Sequence, residues 1–419
     1  MTENTRRMWQ HPWQYRESLA VVLGILAVGF ALQLRLGNFN FFLLQFPVNA
    51  AALALLVILC AMGGLFHGSK LARWLGGVPL CVCIIGALLS LTLAMGLTPQ
   101  VTRVDPHAHN ILADLGFTTM TSCWAFVLLY ALALLSLGTA IARRLRHRSM
   151  RDAAFYCNHI GLWLLMAAAG LGAADMRRFV MHVLEGEVEW RVYSGAGDVL
   201  ELPIAIRLRD FVMEEYPPNL VLIDRLNGKA LPEGKPDHIS LNAVEPRGKL
   251  VEWNIAVDAY IHQAVRAEDG GFRESGMPAS SPAAKVLATR TLPDGSVEAK
   301  SGWVSGGGSI PGFFSALNLD ETHTVVMTVP EPKHFSSDIT VLTRDGREES
   351  AILEVNSPLR IGNWMIYQYS YDSNAGKMSA YSSMELVYDP WLPPVYLGCI
   401  LLMAGSVLFI WQGKGRKTA

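Results

Sequence analysis

Six long apolar runs constrain the fold of this chain more than any other feature of its sequence. They lie at about residues 18–34, 41–63, 76–97, 119–142, 156–176 and 393–412. Roughly 17–25 apolar residues let an α-helix cross the hydrocarbon layer of a bilayer, where a helix also satisfies its own backbone polar groups. The sequence therefore predicts six transmembrane helices, five before a long polar stretch and one after it.

The composition agrees with a membrane protein and argues against several other classes. Hydrophobic residues make up 51% of the 419 residues and charged residues 17%, with a mean hydropathy of +0.27. A soluble domain averages about 25% charged residues. The 35 basic and 36 acidic side chains nearly cancel, so the chain has no excess positive charge for binding nucleic acid. A disordered chain, a cytosolic enzyme and a nucleic-acid-binding protein are all disfavoured.

The distribution of lysine and arginine predicts the orientation, because short cytoplasmic loops are enriched in both residues. The basic residues concentrate after the second, fourth and sixth runs: Lys70, Arg73, Arg143, Arg144, Arg146, Arg148, Arg151, Lys414, Arg416 and Lys417. The first run is not followed by a small-residue cleavage site, which favours a retained helix over a removed signal peptide. We expect a multi-pass protein of the cytoplasmic membrane with both termini in the cytoplasm and the large polar stretch outside it.

The polar stretch at 177–390 has the pattern of a β-rich domain. Short runs suited to strands are separated by turn signals such as Asn227-Gly228 and Asp345-Gly346. The predicted strands are Glu189–Tyr193, Leu200–Phe211, Leu220–Asp224, Thr322–Val329, Asp338–Thr343, Ala351–Val355 and Trp364–Tyr371. We expect a mostly antiparallel sandwich or barrel-like domain. Residues 268–310 are rich in Gly, Ser, Ala and Pro and are predicted to form a long surface loop.

The predicted organisation is therefore an integral membrane α-helical protein with six spans and a large extracytoplasmic, mostly-β domain. Residues 1–176 form an N-terminal membrane region with five helices. Residues 177–390 form the extracytoplasmic β-rich domain, and residues 391–419 form the C-terminal membrane helix and a cytoplasmic tail.

Cysteine placement and missing motifs narrow the chemistry. All six cysteines lie in or at the ends of the apolar runs, so no disulfide is expected in the β-rich domain. Cys81-x-Cys83 and His107-x-His109 could bind a metal, but small helix residues and a solvated loop are the favoured interpretations. The sequence contains no C-x-x-C, Walker A, H-E-x-x-H, nucleophile-elbow or dinucleotide motif, and we predict no catalytic residues.

The fifth apolar run carries a histidine near its predicted cytoplasmic end. Ser149 and Asp152 have the spacing of a capping box, which predicts a helix start near Arg151. His159 then lies about 10 Å, or two turns, into the helix. Arg148 and Arg151 precede it in the basic loop. An ionisable residue within a membrane helix is by default a candidate functional residue.

The helical face of His159 suits a large planar cofactor. Trp163, Met166 and Gly170 follow on the same face. Neutral imidazole is a common axial ligand of haem iron, and haem propionates would be attracted to the preceding arginines. From the residues alone, the alternative is that His159 hydrogen-bonds a carbonyl on an adjacent helix.

Two segments match the pattern of a known family. The first comprises residues 159–178 and the acidic Glu-Gly-Glu at 185–187. The second comprises Val355–Leu359, Tyr367–Asp372 and Val387–Trp391, followed by the last apolar run. They resemble the ResB (CcsB) proteins of system II cytochrome c biogenesis, in which a histidine-bearing membrane helix precedes a strand-rich domain that returns to the membrane. The resemblance covers about residues 76–412.

The resemblance implies a function in haem delivery in the bacterial inner (cytoplasmic) membrane. The chain would be a non-catalytic or co-catalytic subunit of a cytochrome c haem lyase, carrying haem b transiently with His159 as one axial ligand. Trp163, Met166, Arg148 and Arg151 would surround the cofactor. The implied partners are a ResC (CcsA)-like membrane protein, apocytochrome c, a thiol-reducing thioredoxin-like protein and membrane lipid.

The sequence departs from the family pattern in two ways, which keeps alternatives open. It has an extra pair of predicted helices at 18–63, and it contains no fused Trp-rich segment of the ResC type. The main alternative is a membrane-anchored extracytoplasmic ligand-binding or scaffold protein without haem. A transporter is disfavoured, because the spans show no internal repeat and few charges.

Overall fold

The chain divides into two compact units. The computed structural model describes residues 8–101, 110–146, 152–193, 199–242, 245–277, 280–306 and 314–413. A helical unit comprises residues 1–177 and 388–419, and a β unit comprises residues 178–387. Of the residues singled out in the sequence, those that lie outside the described residues are His107, His109, Arg148, Ser149, Arg151, Lys414, Arg416 and Lys417.

The helical unit confirms the predicted membrane helices. Its helices are α1 (Tyr15–Leu36), α2 (Val48–Leu65), α3 (Lys70–Leu75), α4 (Val78–Leu97), α5 (Ile111–Asp114), α6 (Trp124–Arg144), α7 (Ala153–Gly172) and α8 (Leu392–Gly413). Within the described residues, six helical segments are long and apolar enough to cross a membrane; the fourth runs from α5 through a short 3-10 turn into α6. The chain is a multi-pass membrane protein.

Two helix starts differ from the sequence expectation. The run at 41–63 begins with a 3-10 turn, and α2 starts only at Val48, directly after Pro47. Proline has no N–H to donate and is best accommodated at a helix start. α7 starts at Ala153, with Asp152 in the N-cap position. Asp152 makes no cap bond and instead accepts a hydrogen bond from Arg144 (2.7 Å), so it does not have its predicted role in a capping box.

α6 lies at the centre of the helical unit, against α1, α2, α4 and α7, while α7 packs extensively on α8. Small residues allow these close approaches. A Cβ at Gly161 of α7 would lie 2.9 Å from the carbonyl oxygen of Gly398 in α8. Short separations of this kind let helices associate in lipid through van der Waals contact. The starts of α4 and α7 and the ends of α2 and α6 lie at one end of the unit, which we call the basic end.

The described residues of the β unit form 17 strands in four sheets. Their bounds are β1 (Arg177–Leu184), β2 (Val188–Tyr193), β3 (Val199–Glu215), β4 (Asn219–Asp224), β5 (His238–Ser240), β6 (Arg247–Leu250), β7 (Trp253–Arg266), β8 (Phe272–Glu274), β9 (Ser281–Thr291), β10 (Val297–Ser305), β11 (Leu317–Asn318), β12 (His323–Met327), β13 (Pro332–Thr343), β14 (Glu348–Glu354), β15 (Leu359–Ile361), β16 (Trp364–Tyr371) and β17 (Tyr381–Tyr388). The predicted mostly-β architecture is confirmed.

Two hydrophobic cores lie between pairs of sheets. The sheets β1-β17-β16-β15 and β14-β13-β3-β2 share the core around Ile206, Ile339 and Leu386. The sheets β10-β9-β7-β6 and β11-β12-β4-β5 share the core around Trp253 and Leu222. Neighbouring strands such as β3 and β13, or β7 and β9, run antiparallel. This layering matches sheet-on-sheet packing.

The prediction of a long surface loop at 268–310 was wrong. Much of this segment forms β8, β9 and β10, and the last two strands pair across the Pro293-Asp294-Gly295 turn. Ala283, Ala284 and Ala288 of β9 are fully buried, and the last two join the core of Trp253. The small side chains of β9 leave room for the large indole of Trp253 between the packed sheets. Composition alone could not distinguish this packing role of small residues from a flexible loop.

Candidate functional site at the basic end

His159 lies half-buried on α7 near the basic end. Its Nδ1 is 2.9 Å from the carbonyl oxygen of Phe155, one turn earlier on the same helix. Because a carbonyl only accepts, Nδ1 carries the proton and Nε2 of the neutral ring keeps its lone pair. Nε2 has no hydrogen-bond partner among the described residues. The histidine thus bonds its own helix, not an adjacent one.

The imidazole is part of a stack of three side chains. The Phe155 ring lies 3.8 Å from the His159 ring, with 26° between their planes. The guanidinium of Arg144, at the end of α6, lies 4.3 Å from the centre of the Phe155 ring. Arg144 also pairs with Asp152 at 2.7 Å. We call this arrangement the Arg144–Phe155–His159 column.

The donor set of His159 fits the ligation of haem iron. Metal-binding histidines characteristically donate one ring N–H to a carbonyl or carboxylate and coordinate through the other nitrogen. Here Phe155 supplies that carbonyl and Nε2 is the nitrogen left for a metal. The surrounding α7 is apolar enough to cross a membrane. Ligation of haem iron by His159 through Nε2 stays a prediction.

The other residues of the predicted cofactor face pack against α6. Trp163 donates its indole N–H to the carbonyl of Leu134 at 3.0 Å. The hydroxyl of Tyr130 donates to the carbonyl of Met166 at 2.8 Å, and a Cβ at Gly170 would lie 2.8 Å from the Tyr130 ring. Contact of Trp163 and Met166 with a cofactor stays a prediction, limited to the surface that α6 leaves uncovered.

The described arginines near this site are already bonded. Arg143 donates to the carbonyls of Arg73 and Gly76, at 3.3 and 3.4 Å. Arg146 donates to the carbonyl of Leu65 at 3.2 Å. Cations near the last carbonyls of a helix complement its dipole. These arginines thus stabilise the ends of α2 and α3. Arg148 and Arg151, which were predicted to bind the haem propionates, lie outside the described residues.

Sequence reasoning did not single out Phe155, and it treated Arg144 only as one member of a basic loop. The spacing of four residues between Phe155 and His159 could have indicated the stack, because side chains at i and i+4 are neighbours on a helix. The contact from Arg144 had no such signal, since Arg144 lies on the preceding helix, α6.

The two segments of the family pattern meet at the opposite end of the helical unit. The carboxylate of Asp175, just after α7, accepts hydrogen bonds from Trp391 Nε1 (2.8 Å), Asn49 Nδ2 (2.6 Å) and the backbone N–H of Phe46 (2.9 Å). Burial alone would raise the pKa of Asp175, but these bonds and the charge of Arg177 hold it below its ordinary value. Asn49 of α2 thus connects the extra N-terminal helix pair to the hydrogen-bonded group around Asp175.

One group in the β unit has the donor atoms of a metal site. Glu252, Asp320 and His323 place ligand atoms within 4.8 Å of one another, and no other such group occurs in the part of the chain that the structure describes. Arg290 bonds both Glu252 (2.6 Å) and Asp320 (3.2 Å) and lies 4.5 Å from the Trp253 ring. The guanidinium already pairs with both carboxylates, so we interpret the group as an ion-pair network.

The tyrosines of β16 lie away from the core. Ile366 and Gln368 are buried, whereas Tyr369 is 57% exposed on the opposite face. Tyr371 lies against Phe211 and Phe335, with ring centres 5.7 and 5.0 Å away. It borders a cleft of about 470 Å³.

Comparison with known proteins supports the family assignment within the β unit. The model of the ResB-like family matches residues 289–384, from within β9 to within β17. The resemblance to the ResB family is thereby confirmed for this segment, which includes the second family segment up to Asp372. At the level of the family, the match supports a role related to cytochrome c biogenesis. No curated protein matches the chain. His159 lies outside the matched residues.

Proposed function

We propose that this chain is the ResB-like subunit of a haem delivery complex that serves c-type cytochromes. It carries haem b in the bacterial inner membrane and passes it toward a ResC-like partner, which joins it to apocytochrome c. The family match supports the class of protein. The observation that carries the haem function is the His159 imidazole within an apolar helix, whose Nδ1 bonds a carbonyl and whose Nε2 has no partner among the described residues.

The residues of the chain have distinct roles in this proposal. When bound, haem supplies the iron porphyrin that is attached to the client cytochrome. His159 binds and orients it, and the apolar surfaces of the neighbouring helices exclude water. The ResC-like partner would supply a further ligand, and a thioredoxin-like protein would keep the client cysteines reduced. The chain is then a non-catalytic or co-catalytic subunit.

The proposal places the basic end in the cytoplasm and the β unit outside it. The support is the concentration of Arg and Lys near the ends of α2 and α6. The β unit then docks the partner or positions the apocytochrome where the covalent bond is formed.

The direct test compares His159→Ala with His67→Ala. His67 is an exposed histidine that contacts Arg146 at the same end of the helical unit. Each variant is co-expressed with a ResC-like partner, and the haem content of the purified protein and the yield of c-type cytochrome are measured. We expect His159→Ala to lose both and His67→Ala to retain both. Unchanged values in His159→Ala would remove this residue from the mechanism.

A membrane-anchored ligand-binding protein is the second candidate, and one observation favours it. The cleft beside Tyr371 is lined by the partly buried Lys377–Glu215 pair, 3.6 Å apart, and by proline rings. The cleft therefore offers a ligand both polar and apolar contacts. A preparation from haem-replete cells that shows no Soret absorbance, alone or with the partner, would favour this candidate.

A further inference from the structure

The column at the basic end determines the orientation of the His159 ring. We propose that Phe155 and Arg144 are positioning residues, which hold the imidazole in one tautomer and one orientation so that Nε2 is its only free nitrogen. This inference rests on the proposed function and deepens it, because it states how the haem-binding atom is prepared before a ligand arrives.

Phe155 restrains the imidazole in two linked ways. Its backbone carbonyl accepts the Nδ1 proton at 2.9 Å, and its ring covers one face of the imidazole at 3.8 Å. The hydrogen bond selects the tautomer, and the stacked ring limits rotation and so keeps Nδ1 within reach of the carbonyl. Turning the imidazole over would break the bond to the carbonyl, since a ring carbon would then face the oxygen.

Arg144 restrains Phe155 from the other side. Its guanidinium lies 4.3 Å from the Phe155 ring and pairs with Asp152 at 2.7 Å. The carbonyl of Arg144 also accepts a hydrogen bond from the Tyr156 hydroxyl at 2.9 Å. Three residues at the start of α7 therefore hold the end of α6, and the Phe155 ring lies between a cation and an imidazole.

A restrained imidazole should bind its ligand more tightly, because its conformational freedom is lost on folding and not on binding. Functional side chains act best when neighbouring groups lock their rotamers. An aromatic pair or a cation–π contact is worth about 0.5–1.5 kcal/mol, and about 1.4 kcal/mol corresponds to a tenfold change in affinity. Loss of the stack should thus weaken binding at Nε2 by up to about tenfold.

The competing interpretation is that the column only packs α6 against α7. A packing role predicts a change in stability without a change in the state of the histidine. A positioning role predicts that the tautomer of His159 and its ligand affinity change while the fold persists. Readouts that report on the ring itself separate the two.

The primary experiment uses the full chain in detergent with ¹⁵N-labelled histidine. The variant Phe155→Leu removes the ring and keeps the backbone carbonyl. Its matched control is Phe126→Leu, because Phe126 stacks on Tyr130 with the same spacing of four residues on α6. Ring ¹⁵N shifts give the tautomer, assigned to His159 by its loss in His159→Gln, and thermal unfolding monitors the fold.

We expect wild type and Phe126→Leu to show only the Nδ1–H tautomer for His159, and Phe155→Leu to populate both. Phe155→Tyr should restore the single tautomer, and Arg144→Gln should give an intermediate result. A single Nδ1–H tautomer in folded Phe155→Leu would overturn the inference. If Phe155→Leu fails to fold, Arg144→Gln, which leaves all rings in place, provides the deciding spectrum.

Haem titration of the same proteins separates this inference from the proposed function. Phe155→Leu should bind haem up to about tenfold more weakly than wild type, with a broadened Soret band, and Phe126→Leu should match wild type. Equal affinity and spectrum in Phe155→Leu would also overturn the inference. If wild type binds no haem but its tautomer depends on Phe155, the proposed function fails and the positioning role stands.

Discussion

At the scale of single residues, hydrogen bonds over long sequence separations tie the helical unit together. Asp175 is the clearest case, because three donors from two distant parts of the chain converge on one carboxylate. A buried donor or acceptor that loses its partner costs about 1–3 kcal/mol. The contacts of Asp175 should therefore contribute measurably to stability.

Trp391→Phe tests the contribution of one of these bonds. The variant removes the indole N–H that Asp175 accepts at 2.8 Å and keeps an aromatic ring against Gly172. We expect a loss of about 1–2 kcal/mol in the free energy of unfolding. The control is Trp411→Phe, because Trp411 is 81% exposed on α8, the helix that directly follows Trp391. Equal thermal unfolding of the two variants in detergent would contradict the assignment.

Asp320 provides a pH-dependent prediction in the β unit. Although burial opposes it, the hydrogen bonds from His323 and Thr322 hold the pKa of Asp320 below its ordinary value of 3.8. The contribution to stability is then complete above 3.8 and is lost as the pH falls through the folded pKa. We expect wild type to lose more stability than Asp320→Asn as the pH falls below 3.8, measured by denaturant unfolding. Parallel pH curves for the two proteins would rule this out.

At the scale of elements, close helix packing depends on where glycine lies. Gly161 and Gly398 bring α7 and α8 together, whereas a Cβ at Gly86 of α4 would meet nothing within 4 Å. Glycine is therefore needed for close helix packing at Gly161 and not at Gly86, although both residues lie on apolar helices. No pattern in the sequence distinguishes the two positions.

Substitution by alanine tests this difference. Gly161→Ala places a Cβ 2.9 Å from a backbone oxygen, so the helices must separate and stability should fall by about 1–3 kcal/mol. Gly86→Ala fills open space in a helix and should be neutral or stabilising by up to about 1 kcal/mol. The measurement is thermal unfolding of purified protein. If Gly161→Ala is as stable as Gly86→Ala, the close α7–α8 contact is not formed.

At the scale of the whole molecule, the six apolar helices of the described residues establish a multi-pass membrane protein. The distribution of arginine predicts its orientation. Labelling of single cysteines, introduced after the six native cysteines are replaced by serine, tests that orientation. Tyr369→Cys probes an exposed site of the β unit, and His67→Cys probes the exposed loop after α2. An impermeant thiol reagent should label the first variant in spheroplasts and the second only after lysis. The reverse pattern would invert the topology.

Much of the architecture was predictable because it follows from local properties of the chain. A bilayer demands helices of a set length, so six apolar runs were enough to predict six spans. Alternation and turn residues likewise indicated strands such as β13 and β16. The segment at 268–310 was misread because small residues suit both flexible loops and the tightly packed strand β9.

The candidate site was only partly predictable. His159 stood out because an imidazole is costly in a membrane helix. Its sequence neighbours Trp163 and Met166 did not reveal that α6 covers much of their face, because membrane helices are apolar on all sides and periodicity cannot tell a protein-facing side from a lipid-facing one.

The sequence by itself determined the membrane class, the number of spans, the β-rich character of the large unit and the one histidine of interest. Only the tertiary structure decided that Asp175 meets Trp391, which is 216 residues away, and that Arg144 and Phe155 hold the imidazole. The physical reason is that hydrophobicity and propensity act along a few neighbouring residues. The partner of a polar atom is decided by which helices pack together, and that information is spread over the whole chain.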